Sequence, residues 1–390
     1  MKKVLAIVSA FALVGIAAFA EDAVVKFSGA VETGIQIQKS NYDGDDGNVQ
    51  LWDDDSGSAG RFDLNGSYVN GNAGVEFKLR YDGYFDDATT DILAHSNLQG
   101  WLTLFDGKVK LVGGNLDTDA WKTDADDNFT SENGAGMQIQ IMPIEGLNFG
   151  VKFNTSTPVT IGGDDYYVTP KQFFNSTGFG VKYATDAFMI CGGYTLASDF
   201  TTDKNTALVD SDGNVTNGDD DAAWAYFGLD YTGVENLKIL TEGRFNHLGD
   251  TDKKAADAYL NEFNEIIEYQ VNDALDAGIV CYQWMNGSKD DDVDGVESTA
   301  FSFKPYVDYK VNDMLTASAE IGYAMNEDVE GNLFGKDTTY LWVKPSVVYN
   351  VSPKTELHVW YQLGVNDLSD DTAVGKGIIN TGFVGIRAFF

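Results

Sequence analysis

The 390 residues carry 26 Lys and Arg against 60 Asp and Glu, a formal net charge of −34, with 43% hydrophobic and 13% aromatic residues. That sign excludes nucleic acid as a natural partner, because phosphate contacts need basic groups. The aromatic content excludes a disordered acidic tail.

At the N-terminus, Met1-Lys2-Lys3 precedes an apolar run from Val4 to Phe19 that closes on Ala18-Phe19-Ala20. Basic, apolar and small residues in that order predict a cleavable signal peptide over residues 1–20. About 16 apolar residues are short for a spanning helix. No Cys follows the cut, so lipid attachment there is not expected. Without the leader, 24 basic against 60 acidic residues give −36.

After Ala20 no run approaches 18 apolar residues, which leaves a closed barrel as the other way to cross lipid with every backbone group bonded. Only 6 Pro and no Pro- or Ser-rich linker point to a single domain over residues 21–390. Period-2 alternation dominates it. In Val75-Glu76-Phe77-Lys78-Leu79-Arg80-Tyr81-Asp82 apolar and charged residues take strict turns, as do Leu147 to Phe153 and Phe301 to Val311. An antiparallel sandwich with one buried face alternates in the same way.

Connection lengths favour the barrel. Eighteen strands are predicted, at about 24–38, 59–69, 72–84, 97–105, 108–114, 134–142, 147–154, 176–185, 187–197, 222–231, 236–246, 263–271, 274–286, 298–311, 315–325, 338–351, 355–365 and 378–390. Without the hairpin around Phe263 to Asn286 the count is 16. Even-to-odd junctions are tight and carry turn residues such as Asn70-Gly71, Asp106-Gly107, Asn272-Asp273 and Asn312-Asp313. Odd-to-even junctions run about 11 to 24 residues, nine in all, and hold about 39 acidic against 9 basic residues. Short turns on one rim and long loops on the other, around a nearly neutral wall, are the pattern of an outer-membrane barrel. The fold class is therefore all-β, a single transmembrane antiparallel barrel with short periplasmic turns and long acidic extracellular loops.

Tyr269-x-Val271-Asn272-Asp273 recurs as Tyr309-x-Val311-Asn312-Asp313 and Tyr349-x-Val351-Ser352-Pro353, each 40 residues on. With Tyr231, these tyrosines are expected to form an aromatic girdle near the short-turn rim. Ordinary strand Tyr is the plainer reading. The stretch Ala255 to Phe263 reads as a short helix in a loop. Cys191 and Cys281 fall four strands apart, too far for a disulfide, and are expected as free thiols.

The last residues, Gly382 to Phe390, alternate and end on Phe. With the signal peptide and the hairpin pattern, they resemble bacterial outer-membrane barrels of the porin type. The resemblance implies that Phe390 is read by the barrel-assembly machinery, that three copies form a homotrimer, and that the third loop folds into the lumen. That loop, Asn115 to Asn133, contains Asp117, Asp119, Asp124, Asp126 and Asp127, which become the expected constriction residues, although it lacks the Pro-Glu-Phe-Gly-Gly stretch of general porins.

If the apolar positions face lipid, Lys78, Arg80, Lys152, Lys238, Arg244, Lys304, Lys344 and Arg387 point inward, with Glu242 and Asp308 among the acidic residues that do the same. Burying so many ions in a dry core is costly, so a water-filled lumen follows. They either line a path for small hydrophilic solutes and ions or pair across strands to stiffen the wall. Trp342 and Trp360 also face inward, as wall packing or as a stacking track for sugars. Asp290-x-Asp292-x-Asp294-Gly295 resembles the start of a calcium loop, but Phe301 stands where the bidentate Glu belongs. No cofactor is expected beyond loosely bound divalent cations such as calcium. The sequence has three His, no His/Cys metal spacing, no G-x-S-x-G elbow and no phosphate-binding loop, so no enzyme activity is expected. The alternative function is a surface barrel, adhesin or structural protein, binding through its acidic loops.

Overall fold

A computed structural model of the chain describes residues 23–41, 47–52, 60–82, 97–116, 120–123, 134–154, 159–161, 164–166, 177–196, 223–251, 255–287, 298–327, 338–368 and 377–390. The predicted signal peptide, residues 1–20, lies outside the described residues. Eighteen antiparallel strands form the wall: β1 Val24–Ser40, β2 Arg61–Asn70, β3 Ala73–Asp82, β4 Asn97–Leu104, β5 Val109–Leu116, β6 Gly134–Ile141, β7 Leu147–Asn154, β8 Thr177–Ala184, β9 Phe188–Leu196, β10 Ala223–Val234, β11 Leu237–Thr251, β12 Ala255–Asn272, β13 Leu275–Gly287, β14 Ser298–Asn312, β15 Leu315–Glu327, β16 Thr338–Ser352, β17 Thr355–Leu368 and β18 Gly377–Phe389. Each pairs with its sequence neighbours, and β1 pairs with β18, so the sheet closes without a free edge. The hairpin around Phe263 to Asn286 is present as β12–β13, which makes the count 18 and not 16.

Local chemistry explains the tight turns. Gly71, between β2 and β3, has φ +55°, a left-handed conformation that glycine adopts without strain. In three hairpins the side chain of the last strand residue caps the turn. Asn272 Oδ1 accepts from Ala274 N at 2.9 Å, Asn312 Oδ1 from Met314 N at 2.8 Å, and Ser352 Oγ from Lys354 N at 3.2 Å. The 40-residue repeat thus encodes one turn three times. Its tyrosines Tyr269, Tyr309 and Tyr349 all point outward at the turn side and are exposed. Tyr231 shares their outward parity, opposite Phe188.

Two local readings are corrected. Ala255 to Phe263, expected as a helix, is the first half of β12. There Tyr259 faces His247 on β11 and Gly287 on β13, so partners are available on both sides. Helix preference differs by only a few tenths of a kcal/mol per residue, and a helix would leave two strand edges unpaired. The junction between β11 and β12 is accordingly residues 252–254, not a long loop. The first loop also contains a strand, Asn48–Trp52, which pairs with Gly34 to Gln38 on β1 above the point where Arg61 faces Glu32. It continues the track of β2 along β1.

The wall is uneven in height. Strands β4 to β8 have 8 residues each, whereas β12 has 18 and β14 has 15. The terminal Phe390 closes the seam. Its N–H and C=O exchange hydrogen bonds with Gly29 at 3.0 and 3.1 Å, and its ring stands 6.3 Å from Phe62. A Cβ on Gly29 would collide with that ring. Cys191 and Cys281 are both free, on β9 and β13.

Candidate functional site

Because the side-chain period is 2, the cross-strand register fixes which residues share the interior. Val31, Ile35, Leu341 and Val343 are exposed on the outer face, so their sequence neighbours point inward. The register puts the following side chains on the inward parity. Arg80 faces Asp63, Lys78 faces Asn65 and Lys152 faces Gln138. Lys238 faces Glu268, Glu242 faces Asn264 and Arg244 faces Glu262. Lys304 faces Val280, Asp308 faces Asp276, Lys344 faces Glu320, and Arg387 faces Glu32.

Several of these ions pair along the wall. Asp63 accepts from Arg61 Nε and Arg80 Nε, both at 2.8 Å. Arg387 donates to Glu32 through Nε at 2.7 Å and also through Nη2, across the closing seam of β1 and β18. Arg244 makes the same two-pronged contact with Glu262, its Nε at 2.8 Å, and the Tyr282 hydroxyl donates to the other Glu262 oxygen at 3.2 Å. These residues point inward and pair with one another across neighbouring strands.

The third loop enters this interior. Asp117, Asp119, Asp124, Asp126 and Asp127 lie outside the described residues, but the segment between them, residues 120–123, is described and lies against the inner wall. Trp121 is 2% exposed and its Nε1 donates to Asn148 Oδ1 at 3.3 Å. Its ring occupies the space above Gly180 on β8, where a Cβ would collide with it, and a Cβ on Gly150 of β7 would stand 3.0 Å from Cζ2. Thr123 Oγ1 donates to Glu242 Oε2 at 2.6 Å on β11, and Lys182 Nζ donates to the Lys122 carbonyl at 3.2 Å. The segment therefore spans from β7–β8 to β11 inside the barrel. Gly150 lies three residues from the start of β7, so the crossing is on the short-turn side. A cavity of about 590 Å³ lies between this segment and the turn rim, bounded by Ala120, Lys108, Glu145, Asn148 and Lys182.

Sequence reasoning missed Trp121, Thr123 and their seat. One signal was present. Gly150 and Gly180 are cross-strand partners at inward positions, and two such glycines together leave a slot the size of a ring.

A second group of rings lines β15 to β18. Tyr340 and Trp342 stack at 5.0 Å, Trp360 and Phe383 at 5.5 Å, and Lys344 Nζ stands 4.3 Å over the Trp360 ring. Trp342 Nε1 donates to Glu320 Oε1 at 2.6 Å, and the Trp342 ring lies over Gly322. Trp342 and Trp360 are both buried. Their faces are taken by each other's neighbours, which is wall packing and leaves no open track for sugars. Gly322→Val is expected to unseat Trp342 and destabilise the barrel by about 1–3 kcal/mol. Denaturant unfolding checks this against Gly113→Val, where a new Cβ meets nothing within 4 Å.

No protein-family model and no curated protein matches the sequence. Solved structures do match. OmpT of Vibrio cholerae, an outer-membrane-expressed form, is 16% identical over 95% of this chain and 99% of that one, with a TM-score of 0.53. OpdQ of Pseudomonas aeruginosa is 11% identical over 94% and 98%, with a TM-score of 0.53. OccK11 (OpdR) of Pseudomonas aeruginosa is 10% identical over 94% and 96%, with a TM-score of 0.52. The chain has the outer-membrane barrel fold of the porin type.

At these identities the likeness is one of fold, and the chemistry of this porin-type barrel rests on its own residues. Side chains of both signs point inward around the wall, with Asp63, Lys78 and Arg80 on β2 and β3, Lys152 on β7, Glu242 and Arg244 on β11, Lys304 and Asp308 on β14, Glu320 on β15 and Lys344 on β16. The possible calcium ligands Asp290, Asp292 and Asp294 lie outside the described residues. Among the described residues no three His, Cys, Asp or Glu side chains are grouped to hold a metal.

Proposed function

We propose that the protein is a porin, a water-filled channel for passive diffusion of small hydrophilic solutes and ions across the bacterial outer membrane. One observation carries the reading: the inner face is polar and charged with both signs around the barrel, while the outer face is apolar. Ions on the inner face need water, because a dry core leaves each poorly paired charge several kcal/mol short of its solvation. In this role Lys78, Arg80, Lys152, Lys238, Glu242, Arg244, Lys304, Asp308, Lys344 and Arg387 line the path. The segment of residues 120–123 narrows it near the short-turn rim. Fixed charges of both signs and the remaining width set selectivity. Tyr231, Tyr269, Tyr309 and Tyr349 hold the turn rim at the lipid interface, and the seam made by Phe390 with Gly29 is where the assembly machinery would complete closure.

The test is solute flux. Proteoliposomes carrying the purified, folded protein are expected to swell promptly in an isotonic solution of a small neutral sugar. Swelling no faster than in protein-free vesicles contradicts the proposal and leaves the adhesin or structural reading, whose acidic loops lie mostly outside the described residues.

A further inference from the structure

Each arginine of the wall, Arg61, Arg80, Arg244 and Arg387, holds a carboxylate. Lys110 stands over the Trp101 ring, Lys344 over Trp360, and Lys182 reaches the Lys122 carbonyl. Lys26 on β1 and Lys78 on β3 have no such partner among the described residues. They share one cavity of about 750 Å³ on the inner face of β1 to β4, near the short turns.

The register places six inward side chains there as a grid of two rows. In the row nearer the turns Lys26 faces Ser67, and Ser67 faces Glu76. In the next row Ser28 faces Asn65, and Asn65 faces Lys78. The two lysines therefore occupy opposite corners, their Cα atoms roughly 12 Å apart across two ladders and one row. Their four-carbon stems bring both ammonium groups over the middle pair, Ser67 and Asn65. Glu76 stands at a third corner. Its Oε1 accepts from Gln99 Nε2, which fixes the carboxylate and leaves Oε2 as an acceptor. Lys26 and Ser28 are exposed to the lumen and the other four are half-buried, so a solute in the water path reaches all of them.

We propose that this cavity is a subsite for inorganic phosphate. Donors surround its centre: ammonium groups on two sides, the hydroxyls of Ser28 and Ser67, and the Asn65 amide. That number and spread suit a tetrahedral anion with several terminal oxygens, each taking a charge-assisted bond. Two ammonium groups against one carboxylate leave the cavity net positive. Glu76 adds discrimination. Phosphate keeps at least one proton at neutral pH and donates it to the carboxylate, whereas sulfate, of the same shape, has none and meets Glu76 as a like charge. The subsite deepens the porin reading and rests on it, because a solute reaches these side chains through an open lumen.

Equilibrium dialysis of radiolabelled phosphate against the folded full chain in detergent, at neutral pH and low salt, tests the site without relying on conduction. Saturable binding of one phosphate per chain is expected, with sulfate competing about ten-fold less well. Lys26→Ala/Lys78→Ala is expected to weaken phosphate binding by about ten-fold or more. Glu76→Gln replaces the carboxylate by an amide, and sulfate should then compete about as well as phosphate. Heat-modifiable gel mobility confirms that each variant is folded. Absence of saturable binding, affinity that Lys26→Ala/Lys78→Ala leaves unchanged, sulfate competing equally in the parent protein, or discrimination that survives Glu76→Gln overturns the proposal. Potassium chloride conductance of the same preparation separates the two readings: a conducting channel that binds no phosphate loses the subsite alone, and a protein that binds phosphate but never conducts loses the porin reading alone.

Discussion

Trp121→Ala is expected to enlarge the channel. The ring is buried against Gly150 and Gly180 and holds residues 120–123 across the lumen. Truncating a buried Trp costs about 3–5 kcal/mol, and at about 1.4 kcal/mol per factor of ten the lower bound shifts the docked-to-released ratio roughly a hundredfold. The wall itself loses nothing, since every strand keeps its ladder. Single-channel conductance should therefore rise and become noisier while heat-modifiable mobility stays that of the parent protein. Gly180→Leu, which fills the slot from the wall side, should act in the same direction. Thr123→Val removes the bond to Glu242 and should do less, because Trp121 remains seated. Unchanged conductance in Trp121→Ala would mean that this segment does not set the width of the path.

Glu32→Ala should weaken the closed barrel more than any other single charge removal. Glu32 is 3% exposed and takes both prongs of Arg387 across the only junction that joins the first strand to the last. Its loss leaves a guanidinium half-buried. Removing one partner of a buried pair costs about 3–5 kcal/mol. Here Arg387 is 20% exposed toward the lumen, and water there brings the expected loss to about 1–3 kcal/mol. The midpoint of urea unfolding in detergent or bilayer should fall accordingly. Glu32→Ala/Arg387→Ala should recover part of it, since the two opposite charges leave together. A midpoint equal to that of the parent protein would show that the pair adds nothing to closure.

Most of the wall was legible in the sequence because two independent signals coincide in it. Alternation such as Val75 to Asp82 sets the face of each side chain, and turn residues such as Asn272-Asp273 and Asn312-Asp313 set where a strand ends. Together they placed seventeen of the 18 strands within five residues at either end. Where only one signal was present, the reading failed. Ala255 to Phe263 has helical preference but no turn residue near its true start, and only the ladders offered by β11 and β13 decide its state. Asn48–Trp52 alternates too briefly to be separated from loop, and it is strand because β1 has an open partner position above Arg61. The loop segment that enters the lumen carries no periodic signal at all. Its acidic residues stand out by charge, whereas the described contacts are made by Trp121 and Thr123. Their position depends on Gly150 and Gly180 being neighbours across β7 and β8, which is tertiary information. The ring packing of Trp342 and Trp360 was open between two readings for the same reason: sequence gives the face, and only coordinates show that the ring faces are already covered.

Planar-bilayer recording of the purified, folded protein tests the central claim most directly. The account predicts discrete, ohmic opening steps that scale with salt concentration and grow in Trp121→Ala. A folded barrel that inserts, as judged by heat-modifiable mobility, yet never yields discrete open steps would contradict it.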